Sequence, residues 1–124
     1  MTHRRIGATA MAVALAAGAG QAMAQYEGQT LSLFNWSQYM DPAIIEGFED
    51  EYGVEVVENY FNSNGEMFAK LQAGGVSQYD VVVPSNYYVP RLVESGLVQP
   101  LDHERLSNLD NLMETFIDPA FDPG

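Results

Sequence analysis

The chain contains no cysteine, and only five lysine and arginine residues stand against 17 aspartates and glutamates. Without cysteine there is no disulfide framework, no thiolate nucleophile and no thiolate zinc site, whatever the redox compartment. The shortage of basic residues, with a formal charge of −12, excludes the positive surface by which a nucleic-acid binder displaces counterions from phosphates. What remains is a folding composition, 47% hydrophobic and 18% charged, whereas disordered segments combine low hydrophobicity with high net charge. At 124 residues one domain is the upper bound.

The 17 acids are not spread evenly, because residues 1–24 contain none. That segment opens on Met-Thr-His-Arg-Arg, continues through an apolar run over residues 6–19 and ends on Ala22-Met23-Ala24. A positive start, a short apolar stretch and a small-x-small end together form the pattern of a secretory signal peptide. A membrane-spanning helix needs about 20 uninterrupted apolar residues, and this run is shorter and broken by glycine. Arg4-Arg5 lacks the bulky apolar context of a twin-arginine signal, so the general secretory route is expected. Cleavage after Ala24 leaves Lys70, Arg91 and Arg105 against all 17 acids, a charge of 3 − 17 = −14, with His103 as the remaining histidine.

Periodicity in residues 25–124 alternates between strand and helix. Residues 30–35 alternate Leu31, Leu33 and Asn35 with Ser32 and Phe34, as a first strand. Asp41-Pro42 then supplies an N-cap and a proline at the first helical position, where a missing N–H costs nothing. Ile44, Ile45, Phe48 and Tyr52 recur at helical spacing, and Gly53 stops the helix. The β-branched and aromatic run over residues 54–61 predicts a second strand. Ser63-Asn64-Gly65-Glu66 matches a capping box, followed by Met67, Phe68 and Leu71 on one helical face and Gly74-Gly75 at the end. Residues 79–84, Y-D-V-V-V-P, form the continuous run expected of a parallel strand buried on both faces.

Ser85 or Asn86 then caps a third helix carrying Val89, Leu92 and Val93, with Pro90 in its first turns and Gly96 at its end. A short extended stretch over residues 97–101 follows, and Leu106, Leu109 and Leu112 suggest one or two further helical turns. The β-α-β-α-β-α order implies an α/β fold with a mostly parallel sheet, helices on both faces and right-handed crossovers. Asp118-Pro119 and Asp122-Pro123-Gly124 are turn signals leading onward, so residues 25–124 read as part of a larger α/β protein.

Motifs for catalysis are absent. There is no G-x-S-x-G elbow, no P-loop and no G-x-G-x-x-G after a strand, and His103-Glu104 lacks the second histidine of a zincin. Ser85 with His103 remains the one pair from which a hydrolytic triad could be drawn. Two clusters instead occupy positions just outside the carboxyl ends of strands, where open parallel sheets bind ligands. Asn35-Trp36-Ser37-Gln38-Tyr39 follows the first strand and contains the single tryptophan. Pro84-Ser85-Asn86-Tyr87-Tyr88 follows the third. Each joins a hydroxyl to aromatic rings, and two such loops at one edge of a sheet favour a binding crevice over ordinary loop packing.

The segments L-F-N-W-S-Q-Y-M-D-P, F-N-S-N-G-E-M-F-A-K-L-Q-A-G-G and Y-D-V-V-V-P-S-N-Y-Y-V-P-R-L-V-E-S-G resemble the N-terminal lobe of periplasmic polyamine-binding proteins. These are the spermidine/putrescine receptors of bacterial ABC importers, and the resemblance covers essentially all of residues 25–124. It implies an incomplete three-layer lobe of a type II periplasmic binding protein, hinged to a second lobe. It further implies a periplasmic monomer that binds a polyamine, docks on permease subunits in the inner membrane and uses no cofactor or metal. Carried over by position, Trp36 and Tyr39 wall the methylene stem of the ligand, Ser37 and Ser85 offer hydroxyl oxygens, and Tyr87 adds a ring or phenol.

The chemistry suits a polyamine independently. Aromatic faces accept both the apolar spacer and the ammonium, each cation–π contact contributing about 0.5–2 kcal/mol, and hydroxyls accept hydrogen bonds from ammonium groups. Counter-charges must come from carboxylates. Neither loop holds one beyond Asp41, which is expected to act as a helix cap, and Gln38 stands where some relatives carry an acid. The decisive acids are therefore expected in the second lobe. Glu46, Glu49, Asp50, Glu51, Glu55 and Glu58 are expected mostly on solvent faces, as a solubilising surface. Two alternatives stay open at this point: a secreted hydrolase using Ser85 and His103, and a ferric-iron receptor of the same fold using Tyr87-Tyr88 phenolates.

Overall fold

A computed structural model describes residues 25–122. The expected signal peptide, residues 1–24, lies outside the described residues. Three strands, β1 (Thr30–Trp36), β2 (Glu55–Phe61) and β3 (Val81–Val82), form a fully parallel sheet in the order β2-β1-β3. Three helices connect or follow them: α1 (Pro42–Tyr52), α2 (Asn64–Gln72) and α3 (Val89–Glu94). Short 3-10 turns fill the remainder, including His103–Arg105, Leu109–Asn111 and Glu114–Phe116 where the leucine spacing suggested further helix.

The strand order fixes the layers. Side chains alternate across β1, so Phe34 and Trp36 face one way and Leu33 and Asn35 the other. α2 and α3 pack on the Phe34 face, where Phe34, Phe61, Met67, Phe68, Leu71 and Leu92 make one buried cluster. Right-handed crossovers then put α1 on the opposite face, against β2. Rings knit the core: Phe34 meets Phe61 edge-on at 4.8 Å and stacks on Tyr79 at 4.2 Å, and the Lys70 ammonium sits 5.4 Å above the Phe34 ring.

Local chemistry explains the element ends. Asp41 caps α1 by accepting the Ala43 N–H at 3.0 Å, Pro42 occupies the first turn, and Gly53 closes the helix at φ 65, a left-handed conformation that side chains resist. Ser63 Oγ accepts the Glu66 N–H at 3.1 Å, as a capping box requires. The return arm is displaced by one residue, because Glu66 Oε2 accepts the N–H of Asn62 at 3.0 Å. Behind α2, a Cβ on Gly75 would stand 2.5 Å from the Lys70 carbonyl oxygen, so the turn into β3 excludes any larger residue.

Three expectations are corrected. The run over residues 79–84 pairs as a strand only at Val81 and Val82, and Val81 is 44% exposed, so this strand is not buried on both faces. Asp80 replaces a longer ladder: its N–H donates to the Ser32 carbonyl at 2.9 Å and its carboxylate accepts the Ser32 N–H at 2.8 Å. The apolar side of α1 is not buried either, for Ile44 and Phe48 are open to solvent and no residue of the helix is fully covered. Ser85 does not cap the third helix with its side chain. A 3-10 turn, Asn86–Tyr88, precedes α3, and Pro90 begins the α-helical part where its missing N–H is harmless.

Removing the Phe34 ring leaves a cavity among rigid aromatic neighbours, so Phe34→Ala should cost about 3–5 kcal/mol of stability, read from the shift in denaturant midpoint. Glu66 gives a pH signature. The Asn62 N–H, and after it the Lys70 ammonium at 3.1 Å, hold its carboxyl below the usual carboxylate range. A depressed folded value means stability that is present above the unfolded carboxylate range and lost as pH falls through the folded one. Glu66→Gln should therefore flatten the stability curve below about pH 5 and change its slope little near neutrality.

Candidate functional site

β1 and β3 are adjacent and parallel, yet the chain leaves β1 towards α1 on one face and β3 towards α3 on the other. Such a divergence opens a crevice at the carboxyl ends of the strands, the usual ligand position in open α/β sheets. The split begins after Phe34, whose carbonyl accepts the last ladder bond from the Val83 N–H at 3.0 Å. Beyond it, the Trp36 N–H turns to the side chain of Asn35, donating to Oδ1 at 2.8 Å. Asn35 is itself fully buried, and its Nδ2 has no hydrogen-bond partner among the described residues.

The structure divides the five expected site residues into three settings. Trp36 is half-buried, with its ring edge-on to Phe61 at 4.5 Å, so the core side of β1 holds it in place. Ser37 and Tyr39 line an open groove of about 500 Å³ together with Gln38, Asp41, Glu58 and Tyr60. Tyr39 is 68% exposed, and Gln38 before it takes φ 58, the one non-glycine residue in the left-handed region among those described. Ser85 and Tyr87 come together elsewhere, around a residue that sequence reasoning did not single out.

That residue is Asn64. Buried at the first turn of α2, it accepts the Ser85 N–H at Oδ1 (3.0 Å), and its Nδ2 donates to Ser85 Oγ (3.0 Å) and to the Tyr87 hydroxyl (2.9 Å). One amide thus sets the positions of both side chains on the loop after β3. The signal in the sequence was the asparagine directly after the capping serine, where an exposed residue is usual. Tyr87 otherwise stands free of the core, with its ring edge-on to Tyr88 at 5.6 Å; Tyr88 reaches inward to Phe68, and the Arg91 guanidinium lies 4.3 Å over the Phe68 ring.

Glu58 and Tyr60 also line the groove, a placement sequence reasoning missed although their i, i+2 spacing near the end of β2 puts them on one face. The Tyr60 hydroxyl donates to Glu58 Oε2 at 3.0 Å. That hydrogen bond to the carboxylate, with some desolvation and the carboxylate charge behind it, raises the phenol above its ordinary value. The expected solvating role of the acidic residues therefore fails at two positions: Glu58 lines the groove, and Glu49 Oε1 accepts the Val56 N–H at 2.7 Å on the open side of β2. His103 lies in an exposed turn, and no hydrogen bond links it to Ser85 among the described residues. No trio of histidine or carboxylate groups arranged for a metal occurs among them either.

The sequence and the fold match known proteins. A spermidine/putrescine-binding periplasmic protein of Escherichia coli is 38% identical over 110 residues, covering 89% of this chain and 31% of that protein. The sequence is related to the periplasmic polyamine-binding proteins. A putrescine/cadaverine-binding protein of Pseudomonas aeruginosa is 40% identical over 110 residues, 89% of this chain and 30% of its own length. Among solved structures, the spermidine/putrescine ABC transporter substrate-binding protein PotD of Streptococcus pneumoniae superposes with a TM-score of 0.73 at 34% identity, over 78% of this chain and 30% of PotD. The chain therefore spans about a third of the length of the curated relatives it matches. No protein-family model matches it.

Replacing the Asn64 amide leaves the Ser85 N–H without its acceptor in a half-buried place. Asn64→Ala should cost about 1–3 kcal/mol, measured as a denaturant midpoint, whereas Tyr87→Phe, which loses one partly exposed hydroxyl, should cost less than half as much.

Proposed function

We propose that residues 25–124 are the N-terminal part of an extracytoplasmic solute-binding protein that takes putrescine or spermidine and delivers it to the permease subunits of an ABC importer. In this reading residues 1–24 are a cleaved signal peptide, the protein works as a monomer in the periplasm, and it catalyses nothing. The observation that carries the reading is the pair of aromatic-hydroxyl loops leaving adjacent parallel strands, in a chain whose relatives are polyamine-binding proteins.

Each expected residue has a task suited to a cation on an apolar stem. Trp36 and Tyr39 offer faces to methylene groups and to an ammonium, Ser37 and Ser85 offer acceptor oxygens, and Tyr87 supplies a ring with its hydroxyl already oriented by Asn64. Ser85 and Tyr87 each receive a hydrogen bond from Asn64 and keep a second lone pair for the ligand. A dication buried between lobes also needs carboxylates, and the part of the longer protein beyond this chain is where most of them are sought. Closure of a second lobe over the loops would exclude water from these contacts.

Titration calorimetry with putrescine and with spermidine on the full-length gene product tests the proposal. Saturable binding at micromolar ligand is expected, and Trp36→Ala or Ser85→Ala should each lose about 1–2 kcal/mol of it. Absence of heat and of retained ligand in equilibrium dialysis would sink the reading.

A further inference from the structure

The groove beneath the loop between β1 and α1 has a charge that no cationic side chain among the described residues balances. We infer that Glu58, which shares the groove with the rings of Tyr39 and Tyr60, is a cation anchor that takes one primary ammonium end of an alkylamine. The inference rests on the polyamine reading above and adds to it a counter-charge supplied by this part of the chain.

Four observations converge on it. The first is shape: the groove, about 500 Å³, is of a size that suits a small ligand. The second is charge. The carboxylate of Glu58 has the Tyr60 hydroxyl as its hydrogen-bond partner and no cationic one, since the ion pair found among the described residues joins Lys70 to Glu66 on α2. Asp41, the other acid in the groove, has one oxygen committed to the Ala43 N–H, which offsets the partial positive charge at the start of α1. An anionic ligand would be repelled, and a neutral one would leave the Glu58 charge unused.

The third observation is the rings. Tyr39 and Tyr60 are 68% and 46% exposed, and neither takes part in an aromatic pair among the described residues, so each has exposed surface to offer a methylene stem or an ammonium. The fourth is orientation. Tyr60 donates a hydrogen bond to Glu58 Oε2, which leaves Oε1 to accept from the ligand. The neighbouring Gln38 is neutral and sits in a left-handed conformation, a backbone cost of the kind that gathers at binding loops. The negative charge absent from that loop is thus present across the groove, on β2.

Calorimetry on the full-length gene product with putrescine, and with butane-1,4-diol as its uncharged counterpart, reads the effect. Glu58→Gln keeps size and polarity while removing the charge, and should weaken putrescine binding about tenfold. Tyr60→Phe keeps ring and carboxylate, and should weaken it only about two- to threefold. In the wild-type protein the Tyr60 ring resonances should shift on titration with putrescine and stay in place with the diol. That measurement needs no variant to fold. Unchanged affinity in Glu58→Gln, or Tyr60 resonances indifferent to putrescine, overturns the anchor while a loss of binding in Trp36→Ala keeps the polyamine reading intact. If the folded wild-type protein binds no putrescine, both fall together.

Discussion

β1 is hydrogen-bonded on both sides, to β2 along its whole length and to β3 at Leu33 and Phe34. That double pairing makes Phe34 the residue on which α2, α3 and the rings of Phe61 and Tyr79 converge. It also makes the exit of β1 the place where the two crossovers part. Packing and crevice are consequences of one strand being central: its side chains on one face anchor the core, and its carboxyl end delivers Trp36 and the loop to Tyr39 to the divergence point. Burial of a large aromatic cluster is the main stabilising term for a unit of this size. The candidate loop from Trp36 to Tyr39 thus leaves the one strand that is paired on both sides.

Polar chemistry takes over where the sheet runs out. Asp80 completes the β1–β3 ladder with its side chain, Glu49 covers a free N–H of β2, and Asn35 covers the Trp36 N–H beyond the last β1–β3 rung. Asn64 does the same for the loop after β3, with three hydrogen bonds that span more than twenty residues of sequence. A buried amide that serves one donor and two hydroxyls at once fixes their relative positions more firmly than separate partners could, because losing it strands a backbone N–H.

Much of this was legible in the sequence where the signal is local. The Asp41-Pro42 start, the Gly53 stop and the Ser63–Glu66 cap follow from single-residue stereochemistry, and Met67, Phe68 and Leu71 fall on the buried side of α2 as their spacing requires. The expectations that failed concern neighbours distant in sequence. Val81 looks like a core residue in any window, but its exposure depends on what lies over that face of the sheet. The apolar side of α1 has the right period, yet period says nothing of what covers it. Asn64 and Glu58 were passed over for the same reason: each has a respectable local explanation, as part of a helix start or as a solvent-facing acid, and their tasks arise from loops and strands brought alongside by the fold.

Gln38 shows what such a loop costs in variability. At φ 58 its backbone occupies a region that glycine and asparagine tolerate and that β-branched residues resist. Whatever side chain faces the groove from this position must first satisfy the turn, so β-branched substitutions are largely closed to it. Position 39, with ordinary backbone and an open ring, carries no such restriction. Along this groove, then, residue 38 is filtered by conformation before chemistry has any say, while residues 39 and 58 are not held to a left-handed backbone.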